Sequence, residues 1–182
     1  MSPRRITVST SGIAKMIKRL GDDEVRFEFA LSLHATNDET RSRIMPINES
    51  NKLETLKEAL AYFHEKTGTR VTYEYCLFKG VNDSEADARN LAEVSRWAPS
   101  KVNLLMYNPV EGLNFERTSE AQLEAMAAQM TAPEADGSDP DAPSADGTKA
   151  GDPAQVDTAG GDAPEAALPP DGDGAPEEDA PK

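Results

Sequence analysis

A parallel α/β architecture is what this sequence predicts, and three observations carry that expectation. First, four β-rich runs, each followed by an amphipathic segment of helical spacing, fill the first 118 residues. The runs are Ile6 to Gly12, Phe27 to His34, Val71 to Phe78 and Val102 to Pro109. Strands alternating with helices are the sequence form of a parallel sheet or barrel. Second, Ser9, Ser32, His34 and Asn108 all fall at the downstream ends of those runs. In parallel α/β folds the ligand lies at the carboxyl ends of the strands, so distant residues would converge there. Third, the pattern stops near Met130, where the composition changes abruptly.

The elements follow in order. Strands are expected near 5–9, 27–33, 70–77 and 101–107. Ser9 to Gly12 form a small-residue turn into a helix over 13–20, with Ile13, Met16, Ile17 and Leu20 on one face. The second strand is almost wholly apolar after Glu28, as a strand covered on both faces requires. Asn37 to Ile44 reads as a short helix stopped by Pro46, and Met45 to Asn48 as a loop. Asn51 with Glu54 matches a reciprocally capped helix start, followed by Leu53, Leu56, Leu60 and Phe63 and ended by Gly68. Ser84 with Asp87 opens the next helix, whose inner face carries Ala88, Leu91 and Val94, with Trp97 near its end. Ser119 with Gln122 opens the last, with Leu123, Met126 and Met130 as its stripe. The Leu and Met stripes are core. His64 is read as solvated, and Glu74 as a polar strand residue whose face is open.

Two regions are expected: an ordered domain over 1–130 and a disordered Ala/Asp/Gly/Pro-rich acidic tail over 131–182. The tail holds 14 Asp and Glu against 2 Lys, with 9 of the 13 prolines and 7 of the 12 glycines. It cannot bury enough apolar surface to offset its ordering entropy. Subtracting its charge of −12 from the chain's −14 leaves −2 for the ordered part, so an anionic partner is not excluded. A single cysteine, Cys76, rules out an internal disulfide framework and suits a reducing compartment. With no leader-like segment before the first strand and no long apolar run, the expected location is cytoplasmic. Four βα units do not close an eight-stranded or a six-unit barrel, so the chain is expected to be part of something larger.

Five ordered motifs now become specific: Ile-Thr-Val-Ser-Thr-Ser-Gly, Leu-Ser-Leu-His-Ala, Arg-Ile-Met-Pro-Ile-Asn, Glu-Tyr-x-Leu-x-x-Gly-Val-Asn-Asp and Lys-Val-Asn-Leu-x-x-Tyr-Asn-Pro. In this order the string resembles the RlmN family of radical S-adenosylmethionine (SAM) enzymes, which methylate C2 of an adenine in 23S rRNA and, in some bacteria, in tRNA. The relative Cfr, which methylates C8, shares much of the pattern. The resemblance covers 4–130 and implies the distal portion of a partial (βα) radical-SAM barrel.

It also implies SAM contacts at Ser9, at Ser32, Leu33 and His34, and at Asn108. The residue types suit the role: hydroxyls and an amide can donate to or accept from ribose and carboxylate oxygens. Each has a structural rival. Ser9 and Ser11 could cap the next helix, Asn108 could start a turn before Pro109, and His34 could be a core histidine. The Met-Pro-Ile-Asn stretch with Arg41 and Arg43 resembles a segment that the family places near its RNA, so Arg41, Arg43 and Asn48 are candidate RNA contacts, with a solvated helix end as the rival.

The family's chemistry needs a Cys-x-x-x-Cys-x-x-Cys loop holding a [4Fe–4S] cluster, and the chain shows neither that loop nor the Gly-Glu pair of the family's second strand. Nor is there a methyl-carrying cysteine after the barrel. Cys76 sits at an interior strand position and is read as inert packing. Three readings stand. The chain is part of an RlmN-type methyltransferase and inactive by itself, or a non-catalytic SAM- or RNA-binding module, or a subunit that docks on a separately encoded N-terminal piece bearing the cysteine loop.

Overall fold

In the computed structural model, which describes residues 5–131 and 155–159, five strands form one all-parallel sheet in the sequential order β1-β2-β3-β4-β5. They are β1 (Thr7–Thr10), β2 (Glu28–Ser32), β3 (Val71–Leu77), β4 (Ser100–Met106) and β5 (Gln155–Ala159). The helices are α1 (Ala14–Asp22), α2 (Asp38–Ile44), α3 (Leu53–Thr67), α4 (Glu85–Ser95) and α5 (Glu120–Thr131). Sequential strand order with same-handed crossovers puts successive helices on one face of the sheet, as in a barrel wall. The four expected strands are present and parallel.

The core lies between that face and the helices. Phe29, Leu31 and Leu33 of β2 and its end, Val71, Tyr73, Tyr75 and Leu77 of β3, and Val102 and Leu104 of β4 pack with Ile17, Leu56, Leu60, Phe63, Leu91 and Met126. The Phe29 and Phe63 rings meet at 4.6 Å. At roughly 1.5–3 kcal/mol for each fully buried large side chain, this layer supplies most of the stabilisation.

Helix starts show which sequence signals hold. Ser84 and Asp87 make the expected reciprocal cap of α4, and the Ser119 hydroxyl accepts from the Gln122 N–H at 3.2 Å. Asn51 does not cap α3. Its Oδ1 accepts from the Ala14 N–H at 2.9 Å, at the start of α1, while the Leu53 N–H goes to Asp38 Oδ1 at 3.0 Å. The expected Asn51–Glu54 box is thus replaced by long-range bonds that tie α1, α2 and α3 together. Gly68 closes α3 in the left-handed region at φ 65°.

Three further expectations are corrected. The Met45–Asn48 loop contains a 3-10 turn, Pro46–Glu49, started by the proline. His64 is half-buried, its Nδ1 2.9 Å from the Thr69 carbonyl, instead of simply solvated. Within the supposed disordered tail, Gln155–Ala159 is strand β5, paired in parallel with Lys101 to Leu105 of β4. The backbone of β4 would otherwise be an unpaired edge. The rest of that segment, 132–154 and 160–182, lies outside the described residues.

Candidate functional site

Residues paired across a parallel ladder point to the same face, so the register sorts every side chain. Opposite the helix-covered core lies a polar face. Ser9 pairs with Ala30, Ala30 with Thr72, and Thr72 with Lys101. One rung further toward the carboxyl ends, Ser32 pairs with Glu74, and Glu74 with Asn103. Ser9 is exposed, and Ser32, Glu74 and Asn103 are half-exposed. Asn103 Nδ2 donates to Glu74 Oε1 at 3.0 Å. Glu74, whose face the sequence left open, therefore shares the face of Ser9 and Ser32. Beyond this row, Cys76, Phe78, Leu105 and Tyr107 form a small apolar cluster under Ile44, Val81 and Phe115.

The end of β2 is held by hydrogen bonds from buried side chains. Arg41, on α2, is 0 % exposed. Its Nε donates to the Leu33 carbonyl (3.1 Å), Nη1 to Asn48 Oδ1 (2.9 Å), and Nη2 to the carbonyls of Ser11 (2.8 Å) and Ser32 (3.2 Å). Burial pulls the guanidinium down to about 10, with Asp38 pulling the other way, so it stays charged at neutral pH. Gly12, at φ 98°, makes room: a Cβ there would lie 3.1 Å from Arg41 Nη2 and 3.1 Å from Leu31 Cδ1. Asn48, also 0 % exposed, gives its Nδ2 protons to Asp38 and to the Ser42 hydroxyl.

His34 follows in the left-handed region, at φ 55°. The Cys76 main-chain N–H donates to its Nδ1 at 3.0 Å. A main-chain N–H can only donate, so Nδ1 is bare and the ring proton sits on Nε2. Burial, with the Arg41 charge adding to it, pushes the imidazole down to about 4, so the ring is neutral at physiological pH. The His34 carbonyl accepts from Asn82 Nδ2 at 2.7 Å.

Asn82 is itself 0 % exposed and also donates to the Cys76 carbonyl (2.8 Å). It accepts the Phe78 N–H at Oδ1 (2.7 Å) and the Tyr75 hydroxyl at its carbonyl (3.0 Å). Its place in the Gly-Val-Asn-Asp motif was the one sequence signal that could have pointed to it.

Each expected site residue can now be placed. Ser9 and Ser32 share the polar face. Leu33 is fully buried in the helix-side core, so its side chain is not on that face. His34 has an intradomain partner on Nδ1, and Asn108 Oδ1 accepts from Arg117 Nη1 at 3.1 Å just beyond β4. The helix-cap rival for Ser9 and Ser11 is not what forms: α1 has no side-chain cap at Ile13, and its Ala14 N–H is taken by Asn51. The candidate RNA contacts divide. Arg41 and Asn48 are corrected to internal residues, because their polar atoms bond within the domain and neither is exposed. Arg43, two residues along α2, is exposed.

An iron–sulfur cluster does not fit the described residues. Cys76 is 3 % exposed, burial pushes its thiol up to about 12, and no group of three metal-ligating side chains occurs among the described residues. The polar face carries the hydroxyls of Ser9 and Ser32, the Glu74 carboxylate and the Asn103 amide. No helix among the described residues is long and apolar enough to cross a membrane.

No family model matches the chain. Curated relatives do. The chain is 71% identical over 126 residues to the probable dual-specificity RNA methyltransferase RlmN of Salinibacter ruber, covering 68% of this chain and 34% of that protein. It is 50% identical over 119 residues to the RlmN of Christiangramia forsetii, covering 65% and 34%. Among solved structures, a radical SAM methyltransferase from Sphaerobacter thermophilus superposes with a TM-score of 0.72 at 35% identity, over 88% of this chain and 42% of that one. The chain spans about a third of the length of the curated relatives it matches. Over the portion matched, the chain is homologous in sequence to RlmN proteins and shares its fold with a radical SAM methyltransferase.

Proposed function

We propose that this chain forms the distal wall of the barrel of an RlmN-type methyltransferase acting on adenine in 23S rRNA, and in tRNA, in the cytoplasm. The observation that supports this best is the polar face: Ser9 and Ser32 lie on the side of the sheet away from the helices, in a chain 71% identical to an RlmN over the same region.

In this reading the Ser9 and Ser32 hydroxyls hold SAM oxygens, His34 offers a neutral Nε2–H, and the Asn108 amide borders the ligand at the end of β4. Leu33, its side chain in the core and its N–H and carbonyl bonded within the domain, only helps to hold the turn. SAM, when bound, supplies the methyl group and the radical chemistry of the family. The residues here bind and orient it. Exposed Arg43 is the remaining candidate for an RNA phosphate. With one cysteine the chain cannot provide three thiolates to a cluster, so alone it binds without catalysing. The cluster loop would come from a further segment, in the same polypeptide or in a separate N-terminal piece.

A chimaera tests this. Residues 5–131 replace the matching third of the Salinibacter ruber RlmN, and 2-methyladenosine is measured in 23S rRNA after anaerobic reconstitution. Methylation above background is expected, and Ser32→Ala and Asn108→Ala should reduce it. A folded, cluster-bearing chimaera that methylates no RNA would contradict the proposal.

A further inference from the structure

We propose that Arg41 and Asn82 are positioning residues: together they take up all three carbonyls of the Ser32–Leu33–His34 turn and fix the shape in which that turn meets its ligand. The inference rests on the reading of this turn as part of the SAM wall.

The hydrogen bonds are complementary. Arg41 takes the carbonyls of Ser32 and Leu33, and Asn82 takes that of His34. The turn's N–H groups are used as well: Leu33 and His34 both donate to the Glu74 carbonyl (3.0 and 3.4 Å), and Ala35 donates to Leu33 (2.8 Å). What the turn offers outward is thereby its Ser32 hydroxyl and the Nε2–H of His34. The two clamps arrive from different downstream elements, α2 and the β3–α4 loop, so the turn is held from two sides.

Simple packing does not explain this choice of residues. Burying a guanidinium is costly, and an apolar side chain of similar volume commonly stabilises as well or better. Leaving several carbonyls short of donors is costly too, so an arginine is favoured where carbonyls converge. The guanidinium fork also bonds the Ser11 carbonyl, so the ends of β1 and β2 are set relative to each other. That sets the spacing between the strands that carry Ser9 and Ser32. His34, a non-glycine residue at positive φ, is held in that strained conformation by Asn82 and by the Cys76 N–H.

The test uses the full chain with Arg41→Lys, Arg41→Met and Asn82→Asp. Lysine keeps the charge without the fork, methionine keeps much of the volume without the charge, and aspartate keeps the acceptor for Phe78 while losing the donors. Amide exchange is read residue by residue, and SAM affinity is titrated separately. Exchange at Leu33, His34 and Ala35 should rise about tenfold or more in Arg41→Lys and Asn82→Asp, while Val102 to Leu105 stay protected. SAM affinity should fall by a similar factor.

A purely structural role would move all these amides together, or let methionine restore protection, and either result overturns the proposal. So does unchanged exchange at the turn in both Arg41→Lys and Asn82→Asp. Should the unmodified chain show no SAM binding, the ligand reading of the turn fails, while local exchange still decides whether Arg41 and Asn82 set its conformation.

Discussion

Along β3, Tyr73, Tyr75 and Leu77 sink into the helix layer, whereas Thr72 and Glu74, one residue away, stay half-exposed on the opposite face. The same alternation runs through β4, where Val102 and Leu104 are fully buried and Lys101 and Asn103 are not. One face carries nearly all the apolar packing, and the other carries serine, glutamate and asparagine in register. In the proposed reading, stability and recognition are thus separated by parity along single strands. Substitutions should have opposite consequences on the two faces: loss of folding on one, loss of binding on the other.

The largest effect belongs to the covered face. Phe63→Ala removes a fully buried ring stacked near Phe29 and should cost about 4 kcal/mol in urea unfolding. A cost below about 1 kcal/mol would mean that the layer is not packed as described. Arg41→Met comes next, at on the order of 2–3 kcal/mol, because it strands buried carbonyls. A cost below about 0.5 kcal/mol in the same assay would mean that those carbonyls do not depend on Arg41.

His34 adds a pH dependence. Its imidazole lies at about 4 when folded against 6.5 for the ordinary group, so between those values the unfolded chain binds the extra proton. Stability should therefore be complete above about pH 6.5 and fall as the pH drops toward 4. His34→Gln should flatten that slope in urea titrations at stepped pH. An unchanged slope would show that other groups govern acid unfolding.

The smallest effects on stability belong to the open face. Ser9→Ala and Ser32→Ala should shift unfolding by less than about 0.5 kcal/mol. Arg43→Ala should be equally silent in stability while weakening RNA binding in a filter assay. A loss of fold in Ser9→Ala or Ser32→Ala would erase the distinction between the faces.

Much of this was legible in the sequence because it depends on local rules. Strand–helix alternation, the Ser84–Asp87 box, the Gly68 stop and the polar strand ends all follow from neighbouring residues. What was not legible depends on distant partners. Asn51 looks like a local cap, yet it serves Ala14, 37 residues earlier. Arg41 looks like a surface cation beside Arg43, and only the convergence of Ser11, Ser32 and Leu33 carbonyls makes its burial tolerable. Asn82 sits in a motif whose purpose is visible only once β2 and β3 lie side by side. Strand β5 comes from a segment whose composition argued against order, and the free edge of β4 recruits it.

In the proposed reading the ligand wall is the polar face at the carboxyl ends of β1 and β2, continued by Asn108 after β4. Titrating the ¹⁵N-labelled full chain with SAM, and following every amide resonance, tests it most directly. Saturable shifts are expected at Ser9, at Ser32 to His34 and at Asn108, with helix amides such as those of Leu56, Leu60 and Leu91 unmoved. Shifts confined to the helix layer, or none at millimolar SAM in a chain that remains folded, would contradict the account.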